Sequence, residues 1–247
     1  MYCQNQYVPS PFSLAKRKIA NNARSLAFII IVMSIFYIGN MITGIGLLYD
    51  RSNQELIENI SYFLPSIMTF VTLAVLLLYF ITLIVYYIFF FRFASSISNI
   101  GISEPIISDT ASKASVFIIL SLIFDIINGA IFFVGIPYSK ILAILSRIFL
   151  FVGFYFIRNM FRKFQERSRF KENISNLLLY AAGLLFVDSV LKFVSLLEFN
   201  ETTLVLFILS LAFNLAGEGL FIIGLFRLAK DIELIIDTSS DQSLAPV

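Results

Sequence analysis

The sequence predicts an all-α fold, a polytopic membrane bundle of six transmembrane helices. Three observations lead to it. Hydrophobic residues make up 59% of the 247-residue chain and charged residues only 14%, with mean hydropathy +0.89. Soluble domains are near half apolar and a quarter charged, so this excess of apolar surface requires lipid to cover it. Six stretches are each long enough to cross a hydrocarbon core of ~30 Å, which takes about 20 apolar residues in a helix. Finally, Lys and Arg gather in alternate connections between these stretches, the asymmetry that orients spanning chains.

The stretches are Leu26–Leu48, Phe63–Phe91, Ala114–Ile136, Ile141–Phe161, Ile174–Phe199 and Thr203–Phe226. Before the first lies a leader, residues 1–25, whose Lys16, Arg17, Lys18 and Arg24 predict a short interfacial helix over 10–24. The first stretch is too long for a cleavable signal and no small-x-small site follows it. The second contains no charge between Glu58 and Arg92, and Pro65 suits its first helical turn. Ser108 or Asp109 is placed to cap the third, which follows Lys113 and ends at a tight Gly135-Ile136-Pro137-Tyr138-Ser139 turn. The fourth is expected to run past the membrane as a helix carrying Arg158, Arg162, Lys163, Arg167 and Arg169 among phenylalanines, a composition suited to anionic headgroups. The spanning domain then covers 26–230, and 231–247 form a tail expected to be disordered.

Orientation follows from the charges. The leader, the connections after the second and fourth spans and the segment after the sixth are basic. The opposite connections hold only Arg51 and Lys140 and are acidic through Asp50, Glu55, Glu58, Glu198 and Glu201. Both termini are therefore expected on the cytoplasmic side of a plasma membrane.

The spans also show self-similarity. Phe91-Arg92, Ile157-Arg158 and Phe226-Arg227 close the even-numbered spans, while the odd-numbered ones carry Asn40-x-x-Thr43-Gly44, Asp125-x-x-Asn128-Gly129 and Asp188-x-x-Leu191-Lys192. Three hairpins of one orientation account for this pattern. So does the competing explanation, that every basic helix end attracts an Arg and every span tolerates one polar residue.

Asp125, Arg147, Asp188, Lys192 and Glu218 lie well inside the spans. A charge at the bilayer centre costs roughly 2.5–3.5 kcal/mol, so each requires compensation. Asp188 and Lys192 share a helix face at i,i+4, and the tight turn brings Asp125 toward Arg147. Glu218, within Ala216-Gly217-Glu218-Gly219, is the residue this scheme leaves over. Two functions follow. Balanced pairs that fix helix packing suit a non-catalytic subunit or scaffold, whose partners are the lipid bilayer and other membrane subunits or a second copy. A polar seam through Asn40, Asp125, Asn128, Asp188 and Glu218 suits a small ion- or proton-coupled transporter or channel.

Catalytic classes find little support. The chain has no His, which removes the commonest zinc and copper ligand and the His-based nucleophile pairs, and no metal or cofactor is expected. Phe124-Asp125-Ile126 and Val187-Asp188-Ser189 lack the Tyr-Asp and Gly-x-Gly-Asp contexts of intramembrane aspartyl proteases. The basic stretch after span four would serve as a lipid anchor, or less simply as a docking surface for a partner protein or nucleic acid. Phe164-Gln165-Glu166-Arg167-Ser168 followed by Leu179-Tyr180-Ala181-Ala182-Gly183-Leu184-Leu185 resembles an uncharacterised archaeal, crenarchaeal-type family of multi-span membrane proteins. That resemblance covers about 30 residues, Arg158 to Phe186, and implies a membrane bundle with no assigned activity.

Overall fold

Lipid offers no partner to a backbone amide, so a chain that crosses it must satisfy its hydrogen bonds within each segment. The computed structural model describes residues 9–50, 64–133, 139–197 and 202–236, with side chains over 9–36, 77–131, 140–195 and 205–236 and at Ala74. Among these residues there is no strand and there are six α-helices: α1 (Pro11–Asp50), α2 (Leu64–Ser103), α3 (Ser108–Phe133), α4 (Ser139–Glu166), α5 (Leu177–Leu197) and α6 (Thr202–Glu233). A 3-10 turn, Pro105–Ile107, leads into α3. All six helices are long and apolar enough to cross a membrane, and the chain is a multi-pass integral membrane protein.

The chain divides into two compact units, Phe28–Ile88 on the one hand and Met1–Ala27 with Phe89–Val247 on the other. In the smaller unit Ile35, Leu77, Ile81 and Ile84 are exposed, as lipid-facing positions should be. Thr82 hides its hydroxyl there by donating to the Leu78 carbonyl at 2.8 Å.

The larger unit is built on two helical hairpins, α3 with α4 and α5 with α6. Glycines on the returning helices set how closely each pair packs. A Cβ on Gly153 would stand 2.6 Å from Ile118 Cγ1, and on Gly217 or Gly224 it would stand 2.9 or 2.8 Å from Leu185 or Leu178 Cδ2. Without those side chains the helices approach more closely than any larger residue would allow. Phe117 stacks on Phe149 and on Phe156, and Phe124 on Phe149, with centroids 5.2–6.0 Å apart along the α3–α4 seam.

Three segments differ from the sequence reading. The leader does not form a separate interfacial helix, because α1 is continuous from Pro11. Its Ile19, Ala20, Ala23, Leu26 and Ala27 are fully buried at three- and four-residue spacing, so this part of the helix packs inside the larger unit. Likewise α2 does not stop near Phe91 but runs on to Ser103, burying Phe93, Ala94, Ile97 and Ile100. Residues 231–236 are ordered rather than part of a loose tail: α6 continues to Glu233, and Ile232 and Ile235 are buried. Ser108 has helical dihedrals, so the 3-10 turn, with Glu104 extended before it, does the capping expected of Ser108 or Asp109.

Candidate functional site

The intramembrane polar residues fall into layers, one in each hairpin of the larger unit. Between α3 and α4, Arg147 Nη1 lies 3.5 Å from Asp125 Oδ2. Nearby on the same helices Ser121 and Ser146, both buried, share a hydrogen bond of 3.2 Å between their hydroxyls. Asn128 is half-buried one turn beyond Asp125 on α3.

Between α5 and α6, Asp188 is only 4% exposed. Its Oδ2 accepts from Lys192 Nζ at 2.8 Å, and its Oδ1 accepts from the buried Ser210 hydroxyl across the helix interface. Two acceptor oxygens, each with its own donor, make ionisation tolerable at a buried position. Lys192 is 37% exposed along its side chain, which lets the ammonium reach toward the polar boundary while still touching Asp188.

Glu218 is not isolated in the structure. Asn214 Nδ2 donates to its Oε1 at 3.2 Å. Ser210, Asn214 and Glu218 therefore form a row at four-residue spacing along α6. The row starts buried against Asp188 and ends half-buried. The side chain of Asn40 lies outside the described residues, as do the side chains of Thr43 and the rest of its motif.

A second polar centre was not visible in the sequence. Arg169 counts there as one more cation of the basic stretch after α4, but it is 8% exposed and not part of a surface. Its guanidinium pairs with Glu104 through Nη1 and donates from Nε to the Ile236 carbonyl at 3.0 Å. Its own carbonyl accepts from the Ile236 amide at 2.8 Å. The rings of Phe12 and Phe164 lie 4.7 and 5.4 Å from the guanidinium carbon, a cation–π arrangement. One buried arginine thus ties together α1, the α2–α3 connection, the end of α4 and the end of α6.

Local backbone geometry places it. Ser168 has φ of 57°, its amide bonds the Gln165 carbonyl at 2.8 Å, and the Arg169 amide bonds the Phe164 carbonyl at 3.0 Å. This is a Schellman ending with serine in the left-handed position usually held by glycine, and it turns Arg169 back under the helix. Lys16 donates to the Ile235 carbonyl and Arg24 pairs with Glu233 at 2.7 Å, securing the same end of α6 against α1.

The rest of the basic stretch is on the surface. Arg158, Arg162 and Arg167 are exposed and Lys163 is half-buried. Arg227 sits between Glu172, at 2.6 Å from Nη2, and the buried Asp231, at 2.8 Å from Nε. Among the described residues no group of three or more Cys, Asp or Glu side chains is arranged to hold a metal ion. No protein-family model, curated protein or solved structure matches this chain.

Proposed function

We propose that this protein is a non-catalytic component of a membrane assembly, a subunit or scaffold that packs with other membrane proteins or with a second copy of itself. The observation that carries it is that two carboxylates within the spans, Asp125 and Asp188, are each matched by a cation inside their own hairpin. Asp125 meets Arg147, and Asp188 meets Lys192 and Ser210. Pairs of this kind fix register and helix rotation and do not need to titrate or exchange to do so. The protein sits in the plasma membrane with its basic end, and both termini, in the cytoplasm, as the Lys and Arg distribution supports. The archaeal multi-span family that its Arg158–Phe186 segment resembles is compatible with this role.

The row Ser210, Asn214 and Glu218 favours one other function, a small ion- or proton-coupled transporter whose path follows that face of α6. Reconstitution separates the two. Proteoliposomes loaded with a pH-sensitive dye and challenged with proton, sodium and potassium gradients should behave like empty liposomes. Asp188→Asn and Glu218→Gln should change nothing in that assay. Flux by the wild type that disappears in folded Glu218→Gln would overturn the scaffold assignment. For a subunit, mild solubilisation and native electrophoresis should give a species well above 28.0 kDa plus its micelle.

A further inference from the structure

At the basic end of the larger unit the helices continue past their apolar stretches. On α2, Ile102 lies ten residues beyond Arg92, about 15 Å of helix, whereas a headgroup layer is about 6 Å deep on each side. This extension is packed rather than laid along the interface, since Phe93, Ile97 and Ile100 are buried. Ile102 itself is 78% exposed, and Pro105, Ile106 and Ile236 are exposed as well. Ile102, Pro105 and Ile106 flank Glu104, and Glu104 and Ile236 both hold Arg169, so the two groups of apolar residues are anchored on one guanidinium. Apolar side chains turned outward together and rimmed by charge mark an interaction surface.

The charges around it are one-sided. Residues 9–25, 92–113, 158–176 and 227–236 hold fourteen Lys and Arg against six Asp and Glu. Each of the six carboxylates is already in an ion pair. Arg167 and Lys171, two positions to either side of Arg169, are exposed and make no ion pair among the described residues. The same holds for Arg17 and Lys18 on α1. A second copy docked here would set positive charge against positive charge. Nucleic acid would need rings to stack on, and Phe12, Phe164 and Phe170 are all buried. Headgroups fall short of Ile102. An acidic protein segment with one apolar side fits both features.

We propose that this surface docks an acidic amphipathic helix of a water-soluble protein, its apolar side on Ile102, Pro105 and Ile106 and its carboxylates on Arg167 and Lys171. The proposal does not rest on the packing of the spans. Native electrophoresis tests the membrane assembly, and binding at the basic end tests this surface, so either can fail without the other.

Fluorescence anisotropy with the full chain in phosphatidylcholine nanodiscs tests it with three labelled probes. These are a Leu/Glu peptide with its leucines on one helical face, a scrambled peptide of the same composition, and a single-stranded RNA of equal charge. The amphipathic peptide should bind roughly ten-fold more tightly than either of the others. Ile102→Asn should weaken it roughly ten-fold, and so should Arg167→Gln with Lys171→Gln. Arg51→Gln with Lys140→Gln, which removes the same charge from the opposite end, should change nothing. In a Cys3→Ser background, bimane on Ile102→Cys should be quenched by iodide and not by brominated phosphatidylcholine. No binding of the amphipathic peptide, equal binding of the scrambled one, tighter binding of RNA, equal loss in both charge variants, or quenching by the brominated lipid would each overturn the surface. If a variant fails to fold, the wild-type ranking of the three probes still decides the matter.

Discussion

At Asp188 a carboxylate is held between an ammonium on its own helix and a hydroxyl on the next. The two donors are unequal in origin. Lys192 is legible in the sequence because i,i+4 spacing puts it on the same face. Ser210 has a weaker signal: it and Asp188 lie nearly equally far from the 198–201 connection, so an antiparallel hairpin sets them at one depth. Removing the cation alone strands a buried carboxylate. Breaking a fully buried pair costs about 3–5 kcal/mol, and Lys192 is partly exposed, so Lys192→Met should cost about 2 kcal/mol. Lys192→Met with Asp188→Leu should recover most of that loss, since a well-packed apolar pair removes the stranded charge. Unfolding midpoints in mixed SDS micelles measure both, and a double variant no more stable than the single would show that the pair is not coupled. Arg169 is the opposite case, because nothing in the run Arg167-Ser168-Arg169 distinguishes a buried arginine from an exposed one. The serine in the left-handed position gives no glycine or asparagine signal, and the partner at Ile236 is 67 residues away. By the same assay Arg169→Gln should cost roughly 3 kcal/mol, leaving the half-buried Glu104 without its cation, whereas Arg167→Gln should fall within about 0.5 kcal/mol of wild type.

Helices of this protein were easier to foresee than their ends. Apolar runs, Pro65 and the Pro137 turn locate the spans, because transfer to lipid depends on composition alone. Where a helix continues past the membrane depends on what packs against it, and composition says little there. Thus α1 begins at Pro11 and α2 ends at Ser103 because Ala20, Ala23, Ala94 and Ile97 find partners within the larger unit. The glycines show the same dependence on context. Gly153, in the middle of α4, presses on Ile118, whereas a Cβ on Gly129, in the last turns of α3, would meet nothing within 4 Å. Gly153→Ala should therefore destabilise by about 1–3 kcal/mol through overpacking, and Gly129→Ala should be neutral or stabilise by up to about 1 kcal/mol through helix propensity. Parallel thermal denaturation in detergent would read the two changes, and a loss in Gly129→Ala equal to that in Gly153→Ala would refute the packing explanation.

For the whole molecule, sidedness is the most direct expectation from charge. In a Cys3→Ser background, Arg167→Cys should be labelled in intact cells only by a membrane-permeant maleimide, and Glu201→Cys by an impermeant one as well. Labelling of Arg167→Cys by the impermeant reagent would invert the topology. The pairing of consecutive spans into hairpins was legible from short connections, and the structure brings α3 to α4 and α5 to α6. The polar repeat is only partly echoed. Asp125 and Asp188 each meet a residue on the returning helix, but the cation has moved from Arg147 on α4 to Lys192 on α5 itself.

The bonds from Lys16 to Ile235 and from Arg24 to Glu233 join positions 219 and 209 residues apart. α1 is therefore synthesised well before the end of α6 that secures it. Until α6 is synthesised, part of the buried face around Ile19 and Ala23 lacks its eventual cover, so a nascent or prematurely terminated chain displays an unfinished apolar helix to chaperones and proteases. A product cut short before Ile232 would lack the Lys16–Ile235 and Arg24–Glu233 contacts and leave this face of α1 without them, although most of its spans were already in place.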